Sequence, residues 1–110
     1  MLPEEGCLLR VFIGESDRYE GKPLYEWIVL KAREEGLAGA TVLRGMMGFG
    51  PSSRVYTAKI LRLSEDLPII IEIVDTPEKL EGFLEVIDKV IREGLVTLEG
   101  ARVRLYRGRK

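Results

Sequence analysis

Residues 45–54 read Gly-Met-Met-Gly-Phe-Gly-Pro-Ser-Ser-Arg. Gly45, Gly48 and Gly50 permit positive φ and let backbone N–H groups approach a ligand closely. Phosphate or carboxylate oxygens suit such a turn, and Arg54 and Lys59 follow within the same stretch. The segment lacks the Gly-Lys-Ser/Thr ending of a Walker loop, and it does not open a helix as a dinucleotide fingerprint does. Taken alone, it fits a mobile turn equally well. Its context favours an anion site: it leaves the end of a strand and begins a connection of about twenty residues, and long connections in small domains are usually functional.

The charge distribution points the same way. Residues 40–64 carry Arg44, Arg54, Lys59 and Arg62 and no acid. Residues 100–110 carry Arg102, Arg104, Arg107, Arg109 and Lys110 and no acid, while the net charge of the whole chain is only −1. A near-neutral protein that segregates its cations offers an anion site rather than a general affinity for nucleic acid. For the tail 107–110, simple solvation accounts for the charge. Arg18 and Lys22, before the first expected helix, either add to such a site or are solvated.

Absent residue types narrow the chemistry. The chain has no His, so it lacks the usual general base and the commonest metal ligand, and no Ser-His-Asp or Cys-His arrangement forms within it. Cys7 is the only cysteine, which excludes an internal disulfide and a cysteine-cluster metal site. Asn and Gln are absent as well, while Glu, Lys and Arg are abundant, a composition that suggests a thermophilic source. Without Asn, the Arg-Asn chemistry of acylphosphatases is not available. Ser52 and Ser53 have no base nearby in sequence; Tyr56 reads as an ordinary loop tyrosine, and Glu78, Glu81 and Glu85 as one wet helix face. The longest uncharged apolar run, residues 67–71, is far short of a membrane span of about 20 residues, and no basic segment precedes an apolar one at the N-terminus. A cytoplasmic protein is expected, with no nucleic acid bound and no membrane insertion.

At 110 residues the chain has the size of one domain, 1–110. Strands and helices alternate along it. Residues 7–14 read as a strand ended by glycine. Pro23 suits the first residue of a helix running to about Glu35 and stopped at Gly36, with Glu34 and Glu35 opposed to the helix dipole. Residues 40–44 and 67–74 read as two further strands. Asp75 or Thr76 caps a second helix with Pro77 in its first turn. That helix carries the stripe Leu80, Phe83, Leu84, Ile87, Val90, Ile91, with Glu85–Lys89 and Asp88–Arg92 as i, i+4 pairs, and stops at Gly94. Residues 101–106 read as the last strand. The order β-α-β-β-α-β with right-handed crossovers predicts an α+β, ferredoxin-like fold: a four-stranded antiparallel sheet with both helices on one face.

One side of that sheet remains bare. Alternation places Leu8, Phe12, Ile70 and Val74 on it, a patch that a monomer rarely exposes. A partner subunit is therefore expected to cover it, with Arg10, Glu72, Arg102 and Arg104 forming ion pairs inside the assembly.

Three stretches carry a family resemblance: residues 12–18 (Phe-Ile-Gly-Glu-Ser-Asp-Arg), residues 41–50 (Thr-Val-Leu-Arg-Gly-Met-Met-Gly-Phe-Gly) and residues 68–75 (Pro-Ile-Ile-Ile-Glu-Ile-Val-Asp). They resemble the PII-like proteins of domain-of-unknown-function family one-ninety, over nearly the whole chain. The resemblance implies a fold similar to the PII nitrogen-signalling proteins, which are homotrimers that bind adenine nucleotides in clefts between subunits. It further implies that the 45–66 loop meets a target protein, a membrane transporter being one such target. Carried over residue by residue, Thr41 and Gly48-Phe49-Gly50 match the start of the cleft, Gly45 lies in the same turn, and Arg54 stands where a loop-base arginine does. Arg102 and Arg104 resemble an Arg-x-Arg that meets phosphates. PII proteins carry a Thr-Gly…Gly-Asp-Gly-Lys phosphate loop before their last strand. Residues 93–100 here read Glu-Gly-Leu-Val-Thr-Leu-Glu-Gly, without that lysine, so a smaller adenine nucleotide or another anion fits better than a triphosphate. Tyr56 is not equated with the modified loop tyrosine of PII, because its flanking motif is absent.

The expectation is a non-catalytic regulatory protein without a resident cofactor. Two alternatives stand beside it. One is a small hydrolase or phosphate-ester enzyme at the same cleft, limited to carboxylates, lysines or tyrosines as bases. The other is a trimer similar to the divalent-cation tolerance proteins, with Cys7, Met1, Met46 and Met47 as its soft ligands.

Overall fold

The structure is a computed structural model that describes residues 2–109, apart from the side chains of residues 62 and 63. Met1, Lys110 and the Arg62 side chain, all weighed above, lie outside it. Four strands, β1 (Glu5–Gly14), β2 (Thr41–Arg44), β3 (Pro68–Asp75) and β4 (Leu95–Arg102), form one antiparallel sheet in the order β2-β3-β1-β4. Helices α1 (Leu24–Glu34) and α2 (Pro77–Asp88) complete the expected ferredoxin-like arrangement.

Period-two alternation builds the core. Leu9, Val11 and Ile13 of β1 and Ile69, Ile71 and Ile73 of β3 are buried, and each β1 residue pairs across from its β3 counterpart. Leu24, Ile28 and Ala32 of α1 and Leu80, Phe83 and Ile87 of α2 close over this face in one cluster. Both helices therefore lie on the same side of the sheet.

Helix termini follow local chemistry. Thr76 is the N-cap of α2: its side chain accepts the Lys79 N–H at 3.2 Å, and Pro77 takes the first turn. The last turn of α1 closes through Gly36 at φ 78°, with Gly36 N–H donating to Arg33 O and Leu37 N–H to Ala32 O. Lys31 bridges Glu34 at 3.4 Å and Glu35 at 3.7 Å, which offsets their opposition to the helix dipole. Pro23 sits just outside α1 as its N-cap, because it already belongs to a two-residue ladder with Arg18.

Two expectations are corrected. The last strand spans Leu95–Arg102, not 101–106, because the open edge of β1 from Glu5 to Phe12 accepts eight residues and only a strand starting at Leu95 supplies them. That register sets Val96 and Leu98 opposite Val11 and Leu9. Helix α2 stops at Asp88, earlier than its apolar stripe. The N–H groups of Val90 and Ile91 both donate to Ile87 O, so Val90 is still buried. Arg92 then lies beyond the helix, and among the described residues neither Glu85–Lys89 nor Asp88–Arg92 forms an ion pair.

The connection 45–67 is built rather than loose. Met47–Gly48 pairs with Tyr56–Thr57 as a short hairpin, Ser53 N–H donates to Gly50 O at 2.8 Å across its turn, and a 3-10 helix follows over Leu61–Asp66.

Candidate functional site

Where β1 and β2 begin and β3 and β4 end, the chain forms an open cavity of about 600 Å³. Thr41 of β2 and Glu72 and Val74 of β3 form one wall, Leu8 of β1 the floor, and Ala101 and Arg102 of β4 the opposite wall. The turn 38–40 and the segment 103–106 complete it. Its interior is apolar (Leu8, Val74, Val103, Leu105), and the exposed cations Arg102 and Arg104 stand at one side. An apolar volume with a few convergent polar groups is the usual form of a small-molecule site.

Two features fix the walls. Asp75 is only 2% exposed, yet it ends β3; its Oδ2 accepts the Ala38 N–H at 2.8 Å and its Oδ1 the Thr76 N–H at 2.7 Å. A buried carboxylate satisfied in this way holds the 36–40 turn against the sheet. On the far side of the same residue, the Tyr106 hydroxyl donates to Ala38 O at 2.6 Å. Val103, Leu105 and Tyr106 were not singled out as site residues from sequence, where they read as the last strand; the unpaired β1 edge, which places β4 six residues earlier, is what turns them into a wall.

The eight candidate residues fall into two groups. Thr41, Arg102 and Arg104 line the cavity. Gly45, Gly48, Phe49, Gly50 and Arg54 lie beyond the other end of β2, in and around the hairpin. An extended strand of four residues separates the groups by about 10 Å before the hairpin even begins, so within one protomer they do not converge.

Of the three glycines, Gly45 and Gly48 have a packing origin, whereas a Cβ on Gly50 would meet nothing within 4 Å. None of the three adopts positive φ. A Cβ on Gly45 would lie 2.9 Å from Pro68 Cγ, and one on Gly48 3.0 Å from the same atom, so both backbones rest on the rigid proline ring. The Gly45 N–H already donates to Pro68 O at 2.7 Å and is not free for an anion. Arg54 is exposed, and its guanidinium lies 5.5 Å from the centre of the half-buried Tyr56 ring, a cation–π contact along the hairpin. Met46, Phe49 and Leu61 are 75%, 72% and 87% exposed.

The bare sheet face carries the expected apolar residues, Leu8, Phe12, Ile70 and Val74, all half-buried. At its centre Arg10 Nε donates to Glu72 Oε2 at 2.9 Å, and Arg10 Nη1 bonds Glu99. The Glu72 hydrogen bond, helped by the Glu99 and Glu72 charges, raises the Arg10 pKa above its ordinary value. The other expected members of this network do not join it: Arg102 pairs with Glu4 at 3.2 Å at the strand end, and Arg104 pairs with no carboxylate among the described residues.

Comparison with known proteins places this geometry. The model of the uncharacterized family DUF190 ("Uncharacterized ACR") matches residues 6–103. The chain belongs to the DUF190 family. A UPF0166 protein of Aquifex aeolicus (strain VF5) is 43% identical over 96 residues, covering 87% of this chain and 90% of that protein. A UPF0166 protein of Methanocaldococcus jannaschii is 36% identical over 102 residues, covering 92% of each. Among solved structures, CPII, a nitrogen regulatory PII-like protein from Thiomonas intermedia K12 bound to ADP, AMP and bicarbonate, superposes with a TM-score of 0.70 at 17% identity, covering 90% of this chain and 88% of CPII. A second CPII structure, bound to ADP and bicarbonate, gives a TM-score of 0.68 at 18% identity. This DUF190 chain thus has the PII-like fold that the sequence resemblance implied.

Proposed function

We propose that this DUF190 protein is a non-catalytic, PII-like regulatory module. It assembles as a homotrimer through the bare sheet face, binds an adenine nucleotide of AMP or ADP size in clefts between subunits, and reports occupancy to a target protein through the 45–66 hairpin. One observation carries the reading: an open cavity of about 600 Å³ with a largely apolar lining and Arg102 and Arg104 at one side, in the fold that CPII uses with ADP and AMP. The apolar part suits a base and sugar, and the arginines suit phosphate oxygens in charge-assisted hydrogen bonds.

Subunit assembly supplies the missing half of the site. The hairpin and Arg54 of one protomer meet the cavity of its neighbour, which joins the two groups of candidate residues. Signalling requires that the nucleotide bind two hairpin arrangements with different affinity, since only a differential interaction shifts their populations.

Calorimetric titration with AMP, ADP and ATP tests the reading. ADP or AMP binds the wild type, and Arg104→Ala weakens that binding by about ten-fold or more, the usual effect of removing a charged hydrogen-bond donor from phosphate. The absence of binding by any of the three nucleotides overturns it.

A further inference from the structure

The segment after β4 carries Arg104, which lines the cavity and pairs with no carboxylate among the described residues. Among the described residues two hydrogen bonds tie residues 103–109 to the rest of the protein. Val103 N–H donates to Glu4 O at 2.6 Å, and Tyr106 OH donates to Ala38 O at 2.6 Å. Packing adds little, since Leu105 is 67% and Tyr106 52% exposed. Few apolar contacts and solvent-accessible hydrogen bonds are the marks of a segment that opens at low free energy.

The two ties straddle Arg104 and Leu105, which both line the cavity. The acceptor of the second tie is rigid. Ala38 N–H is held by the buried Asp75, the preceding turn is closed by the Gly36 and Leu37 hydrogen bonds, and Lys79 Nζ reaches Gly36 O at 3.3 Å. Its donor is a phenol on a lightly held chain, open to water. The tie is therefore a fixed catch with a movable tongue.

We propose that Tyr106 is a positioning residue of the effector cavity. Its hydroxyl, fastened on the Ala38 carbonyl, holds residues 103–106 as a strap across the cavity and keeps Arg104 where an anion inside meets it. The proposal rests on the nucleotide reading above and adds to it the element that closes the site. An anion that pairs with Arg104 favours the fastened strap. By linkage, the fastened strap favours the anion by the same factor.

Tyr106→Phe removes the hydroxyl and keeps the ring, so an exposed position is altered without disturbing the fold. Limited trypsin digestion of the full chain, with cleavage after Arg104 and Arg107 followed by mass spectrometry, reads the opening of the strap. ADP is the probe, with its affinity measured by calorimetry. Cleavage of the free Tyr106→Phe protein at these sites is expected to be about five-fold faster than wild type, the effect of one net hydrogen bond. ADP affinity falls by a similar factor, and saturating ADP protects both sites in the wild type. Equal cleavage and equal ADP affinity in the two proteins overturn the proposal. ADP binding without protection of Arg104 and Arg107 overturns the strap and leaves the nucleotide reading standing. No ADP binding by the wild type overturns both.

Discussion

Arg10 Nε donates to Glu72 Oε2 at 2.9 Å in the middle of the sheet face that no helix covers. With Glu99 on its other side, Arg10 links β3, β1 and β4 in a charged strip flanked by Leu8, Phe12, Ile70 and Val74. In a lone protomer these side chains stay partly solvated, at 37% and 32% exposure, and such a pair contributes little. Beneath another subunit the same strip is desolvated, and removing Arg10 strands two carboxylates without a counter-charge. Arg10→Ala is expected to weaken assembly by at least about ten-fold in dissociation constant while shifting protomer unfolding only slightly. Sedimentation velocity over a range of concentrations measures this; a wild type that stays a 12.4 kDa particle throughout counts against a covered face.

The same strip has a defined response to alkali. A guanidinium whose folded pKa is raised contributes stability that is fully present below its unfolded pKa and lost only as pH rises through the folded value, here above the ordinary guanidinium range. Urea midpoints of wild type and Arg10→Ala should therefore keep a constant difference between about pH 7 and about pH 10. A difference that shrinks over that window would show that the Arg10 charge is not what holds the strip.

Asp75 carries the opposite kind of polar group, buried and satisfied. Asp75→Ala leaves the Ala38 and Thr76 N–H groups without their acceptor, and a loss of about 2–4 kcal/mol is expected. Asp75→Asn keeps the volume and one acceptor oxygen and should fall between. Urea denaturation ranks the three proteins; an unchanged midpoint in Asp75→Ala would mean that the 36–40 turn is held by other contacts.

These positions also show where sequence reasoning reaches and where it stops. The alternation in β1 and β3 and the stripe of α2 are local patterns with local causes, so the residues of the core are legible in the sequence. Strand β4 is not. Its first six residues, Leu-Val-Thr-Leu-Glu-Gly, hold a glycine and an acid and stand where PII proteins carry a phosphate loop; what makes them a strand is the length of β1 opposite, a partner some ninety residues away. The hairpin at 47–57 escaped for the related reason that two-residue ladders leave no periodicity. Gly45 and Gly48 drew attention correctly but for a different physics: a glycine records close approach, and here the approaching group is Pro68 rather than a ligand.

That difference is testable at Gly45. With ordinary φ, the backbone tolerates alanine; the obstacle is the 2.9 Å approach to a proline ring that cannot rotate away. Gly45→Ala should destabilise the protein by about 1–3 kcal/mol through overpacking and increase proteolysis after Arg54 by loosening the hairpin base. A variant as stable as wild type, with an intact hairpin, would show that Pro68 yields.

Thr41, Arg102 and Arg104 line the cavity at one end of β2, and Arg54 lies beyond the other end; on the reading proposed above, neighbouring protomers bring them into one site. If the two halves come from neighbouring subunits, a defect in each half on separate chains is complementable. Arg54→Ala and Arg104→Ala homotrimers should each bind ADP weakly. After mixing through a reversible dissociation step, random trimers place an unaltered hairpin beside an unaltered cavity at about a quarter of the clefts. Calorimetry on the mixture should then recover roughly that fraction of wild-type sites at wild-type affinity. If both halves acted within one chain, every chain in the mixture would still carry a defect, and mixing would restore nothing.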